Sequence, residues 1–219
     1  MTLPEKATNS ILFCCGKTPG SRKAAGKKSK PVPRHGRKSM KARSKRVAKP
    51  AAAKTRASGF KRQYLDIFAR EFPVTLRVMK AYPPGQDDFK PHERSGSATR
   101  LAHAFTAENW AVLKVIRGEL TMPPDVPPAP ATFAEAVANY ERGARELMAA
   151  VEKMPESRLS ETVTFFTGPK QMGQVPVSEI LWLMLMDSIH HRGQLSVYVR
   201  MAGGRVPSIY GPSADEPWM

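Results

Sequence analysis

The chain has 219 residues and only two cysteines, adjacent at Cys14 and Cys15, so no disulfide framework is available and a reducing, cytoplasmic setting is expected. Its longest apolar run, residues 180–186, has seven residues where a bilayer span needs about 20, and residues 11–15 are too short for the core of a secretory signal. The net charge of +16 is unevenly placed: residues 1–60 hold 17 of the 35 basic side chains and one acid, Glu5, so the remainder balances at 18 of each sign.

Taken in order, the chain begins with a tail rich in Lys, Arg, Ala, Ser, Gly and Pro, without Phe, Tyr or Trp from Gly16 to Gly59. Such a segment buries too little apolar surface to offset the entropy of ordering it, so residues 1–59 are expected to be a disordered tail. Its concentrated charge suits weak, sequence-independent contact with nucleic-acid phosphates, and it offers no aromatic platform for bases. Its acid-poor composition also resembles an organelle transit peptide, and Met40 is an alternative start. Residues 60–219 form one domain.

Within that domain the spacing predicts four helices. The first covers about 60–81, where Tyr64, Phe68, Phe72, Leu76 and Met79 make one apolar stripe that Pro73 should bend. The second covers about 97–118, with Ser95 or Ser97 as cap and Gly118 at its end. A Pro-rich loop over 122–130 leads to the third, about 132–153, opened by the capping-box pair Thr132 and Glu135. Residues 162–167 are β-prone and read as a short hairpin arm or an extended crossover. The fourth helix starts near Pro176 or Ser178 and ends at Gly203-Gly204, and residues 180–186 are apolar on all sides, as in a buried helix. The fold class expected is all-α, a four-helix bundle behind a basic tail.

On the fourth helix Ile180, Met184, Asp187, His191, Leu195 and Tyr198 share one face, so a carboxylate and an imidazole one turn apart lie within an apolar stripe. Burying both costs several kcal/mol unless something pairs with them. A divalent cation is one such partner. His103, which shares a stripe with Ala107, Trp110 and Leu113, is the candidate third ligand. A core histidine bonded to a carboxylate on its own helix needs no metal, and that reading stands beside the first. Arg192 and Gln194 are expected to face outward or to bond neighbouring loops, and His190 to lie around the helix from His191.

The stretch Ile189-His190-His191-Arg192-Gly193-Gln194-Leu195, continued by residues 203–213, resembles the C-terminal signature of the DinB-like family. Pro91-His92 and Arg100-Leu101-Ala102-His103 resemble its entry into the second helix. The resemblance covers about residues 61–218. It implies a four-helix bundle, often homodimeric, with a divalent metal (zinc, nickel, iron or manganese) on three histidines. Position by position these fall on His103, position 187 and His191, and here position 187 is Asp. The resemblance further implies a metal-dependent thiol S-transferase or a hydrolase, with a small-molecule or thiol substrate. Two alternatives stay open: a non-catalytic metal-binding or interaction protein, and a nucleic-acid-associated protein acting through its tail.

Overall fold

The computed structural model describes residues 59–219. Disorder and nucleic-acid binding by the tail concern residues outside that range.

Four helices are present: α1 Phe60–Lys80, α2 Ala98–Arg117, α3 Phe133–Lys153 and α4 Val177–Met201. Their ends lie where local chemistry puts them. The Ser97 hydroxyl accepts from the Arg100 amide at the start of α2, and Gly118 closes that helix at φ 72°. At α3 the Thr132 hydroxyl accepts from the Glu135 amide, while the Glu135 carboxylate takes the Ala131 amide one residue ahead of the cap. Helix α1 runs through Pro73 without interruption.

The all-α expectation is corrected between α3 and α4. After a short 3-10 turn, Glu156–Ser160, the chain forms an antiparallel hairpin of β1 Thr162–Gly168 and β2 Gln171–Pro176. In β1 Thr162 and Thr164 face solvent while Phe165 is buried against the helices, the two-residue alternation of a strand with one wet face, and Thr167 is exposed at the register shift between Phe166 and Gly168. Val163 pairs with Val175 and Phe165 with Gly173. The fold is a mostly helical bundle with a two-stranded arm.

Each of α1 and α2 packs against both α3 and α4, so the first two helices are diagonal to one another. Tyr64, Phe105, Leu147, Ile180, Leu181 and Leu195 are among the fully buried side chains at the centre. After α4, Gly203 takes φ 84° and Gly204 lies so close to the end of α1 that an added Cβ would stand 2.7 Å from the Ala81 carbonyl oxygen. The C-terminal segment then returns along α1 and α4. Arg77 holds the Ser208 carbonyl, Arg200 pairs with Asp215 at 2.7 Å, and Asp215 accepts from the Val206 amide at 2.8 Å.

Candidate metal centre

Helices α2 and α4 pack side by side, and polar groups of the core meet between them. Asp187 and His191 project from α4 one turn apart, as the helical spacing requires. Opposite them on α2 stands Glu108, which lies on the stripe Leu101, Phe105, Glu108, Val112 and Val115 and is only 4% exposed. Glu108, Asp187 and His191 each bring a ligand-type atom to one place, all within 4.8 Å of one another.

Glu108 Oε1 and His191 Nδ1 are 2.6 Å apart. An ionised carboxylate can only accept, so Nδ1–H donates and, in the neutral ring, Nε2 keeps its lone pair. Glu108 Oε2 is buried with no hydrogen-bond partner. The Ser188 hydroxyl eases the charge on this carboxylate without completing a bond to Oε2. Phe105 covers the imidazole edge-on, with ring centroids 6.1 Å apart.

The electrostatics follow from that burial. Burial pushes the Glu108 carboxyl up to about 7, against the opposing pull of the His191 hydrogen bond and charge, and the Asp187 charge adds to the rise. Burial by itself lowers the His191 imidazole, but the Glu108 bond and the Glu108 and Asp187 charges outweigh it and leave it raised. Both shifts point the same way: the pair takes up protons more readily than either group would in water. Two ionised carboxylates within 4.8 Å repel by about 3–4 kcal/mol at an effective dielectric near 20.

Of the three residues expected from the sequence, Asp187 and His191 are in this group and His103 is not. His103 Nε2 lies 2.9 Å from the Pro127 carbonyl oxygen. A carbonyl only accepts, so Nε2–H donates and Nδ1 carries the lone pair. That Nδ1 is buried and meets no partner. Burial lowers the His103 imidazole, and the Pro127 carbonyl offsets part of the fall. A neutral ring with its outer N–H tied to a backbone carbonyl is the form a ligating histidine takes.

These donors fit a divalent cation. Two carboxylates and an imidazole converge, and one carboxylate oxygen is buried and unbonded.

Residues 54–218, three quarters of the chain, match the sequence profile of the DinB family. The chain belongs to the DinB family. Over 131 residues it is 25% identical to the uncharacterized protein YrdA of Bacillus subtilis (strain 168), an overlap that covers 53% of this chain and 75% of YrdA. Two DinB-like crystal structures share the DinB fold seen here. YjoA of Bacillus subtilis has a TM-score of 0.53 and 22% identity, covering 64% of this chain and 92% of that one. A protein from Bacillus cereus ATCC 10987 has a TM-score of 0.57 and 19% identity, covering 68% and 97%. A mycothiol-dependent maleylpyruvate isomerase matches at a TM-score of 0.43 and 17% identity, covering 66% of this chain and 61% of that one, too distant to decide a reaction.

The DinB resemblance implies donors at His103, Asp187 and His191, and the structure adds Glu108 to the last two. Arg192, next in sequence to His191, faces inward rather than outward: it is 1% exposed and pairs with Glu71 of α1 at 2.7 Å. His190 is exposed and bonds Gln194 at the helix surface.

Proposed function

We propose that this DinB-family bundle binds one divalent cation, held by Glu108, Asp187 and His191. The observation that carries this reading is the buried Glu108 carboxylate. It lies with a second carboxylate and one imidazole within 4.8 Å, and its Oε2 has no hydrogen-bond partner. Left uncompensated, such a group is among the costliest a core can hold, and a dication is the partner its neighbours are arranged to share. The reaction we assign is of the metal-dependent class, a thiol S-transfer or a hydrolysis. A bound dication supplies Lewis-acid polarisation and a lowered pKa for a thiol or water beside it. The chain's own residues do the rest. Glu108 fixes the His191 tautomer and ring angle, the Pro127 carbonyl does the same for His103, and Phe105 keeps water off one edge of the imidazole.

Chelator-treated protein titrated with manganese(II), nickel(II) or zinc(II) should take up one equivalent per chain and unfold at a higher temperature when loaded. Saturation with no uptake of any of the three would sink the assignment.

The same reading takes the protein to be a homodimer, and the supporting feature lies on the outer face of α4. Leu183, Met186, Val197 and Met201 are 40%, 61%, 52% and 54% exposed, and they fall with His190 and Gln194 on one stripe free of formal charge. The stripe is nearly symmetric about the level of residue 192. A two-fold axis there would set Leu183 against Met201, Met186 against Val197 and His190 against Gln194 of a second copy, with Gly193, where an added Cβ would meet nothing within 4 Å, beside the crossing. Interface centres are depleted of charge in this way. The Met186→Glu/Val197→Glu protein should sediment as a monomer and keep its metal. A wild-type protein that is already monomeric at micromolar concentration would remove the proposal.

A further inference from the structure

We infer that this site is built for a dication that favours oxygen donors, manganese(II) or iron(II), over zinc(II), and that Asp187 and Glu108 are the residues that set the choice. The inference rests on the metal-binding reading above and narrows it to a class of ion.

The donor atoms come first. Of the three side chains that converge within 4.8 Å, two are carboxylates and one is an imidazole. Carboxylate-rich sites suit manganese and iron, whereas sulfur and nitrogen donors in a four-coordinate cage suit zinc. The DinB resemblance implies an imidazole at position 187, and this chain offers an oxygen there.

Charge comes second. Two ligating carboxylates and a neutral imidazole would together cancel the charge of one dication. Glu108 is sunk in the core and its Oε2 is left without a partner. That oxygen is available as a donor while Oε1 holds the His191 ring, so the carboxylate can serve both the ion and the imidazole. Each further oxygen raises the coordination number the site can supply, and six-coordinate ions gain from that more than a four-coordinate one.

The order of raw affinities still places zinc above manganese in any such site, so the readout is the ratio of the two and how it moves. Chelator-treated full-length protein would be equilibrated with manganese(II) and with buffered zinc(II), separately and in competition. Bound metal would be measured by mass spectrometry, for wild type, Asp187→His and Glu108→Gln. Asp187→His restores an imidazole without changing the one-turn spacing to His191, and Glu108→Gln removes one charge with almost no change of shape. Both should move the dissociation-constant ratio toward zinc, Asp187→His by about tenfold or more. Cobalt(II) loaded into the wild type should give the weak visible absorption of a five- or six-coordinate ion, and in Asp187→His a stronger one. If Asp187→His proves unable to fold, Glu108→Gln and the wild-type cobalt spectrum decide the matter. A ratio unmoved in both variants, or an intense tetrahedral cobalt spectrum in the wild type, overturns this inference and leaves metal binding intact. Failure of every ion to bind the wild type overturns the metal-binding reading itself.

Discussion

Replacing His191 by Ala is expected to lower metal affinity by more than about 100-fold, with Asp187→Ala close behind and His190→Ala near wild type. His191 and Asp187 are two of the few donors available, and neither has a substitute on its own helix turn. His190 is exposed and already bonded to Gln194. A hundredfold loss removes about 2.3 of the about 2.7 kcal/mol of metal-induced stabilisation under conditions where the wild type is saturated a hundred times over its dissociation constant, so melting curves with and without metal report it directly. His103→Ala separates two views of that residue. A ring that contributes Nδ1 should give about a 10–100-fold loss, and a ring that merely anchors the 122–130 loop should give none. Glu108→Gln should go the other way in the metal-free protein, because it takes one charge out of the core and relieves the repulsion with Asp187. A metal-free Glu108→Gln protein at least as stable as wild type, yet poorer at binding metal, is the signature of a group retained for function against stability. Full occupancy in purified His191→Ala would refute the assignment.

The helices were legible because their signals are local. Ser97 with Gly118, Thr132 with Glu135, and the two glycines after α4 mark ends within a few residues of themselves, and the structure uses each of them. The hairpin was only half legible. Residues 162–167 read as a strand, but its partner, Gln171–Pro176, contains glycine, two glutamines and proline and has no alternating pattern of its own. Pairing supplies what the second strand lacks, and pairing is not local. Asp187 and His191 were visible as polar breaks in an apolar stripe. Glu108 was missed although it breaks the stripe Leu101, Phe105, Val112 and Val115 in the same way. The stripe His103, Ala107 and Trp110 puts the inward face of α2 on His103, and five residues of helix carry Glu108 about 140° away. Because α2 packs on both α3 and α4, its buried arc is wide enough to include both directions. Arg192 could not be read from sequence at all, since its partner Glu71 lies 121 residues away and its third contact, Tyr210, sits in a segment with no periodicity.

That arginine carries the largest expected effect on stability. Arg192 donates to the Glu71 carboxylate at 2.7 Å and to the Thr75 hydroxyl at 3.2 Å, and its guanidinium lies 4.9 Å from the centre of the Tyr210 ring. The Tyr210 hydroxyl in turn donates to Glu71 at 2.7 Å, so one buried cation ties α4, α1 and the C-terminal segment together. Arg192→Ala leaves the largely buried Glu71 carboxylate without its cation and opens a void beneath Tyr210, a loss of about 3–5 kcal/mol by urea unfolding. Tyr210→Phe removes two hydrogen bonds, one accepted from Arg192 and one donated to Glu71, and keeps the ring over the guanidinium, so about 1–3 kcal/mol is expected. The double variant Arg192→Met/Glu71→Leu tests whether the loss comes from the stranded charge. With no carboxylate left unpaired, it should recover most of the stability that Arg192→Ala forfeits, because a well-packed apolar pair of similar volume often equals a buried ion pair. If Arg192→Ala falls by less than about 1 kcal/mol, water reaches Glu71 readily and the network is not a clamp. If the double variant is no better than the single one, the guanidinium matters for its packing under Tyr210 rather than for its charge.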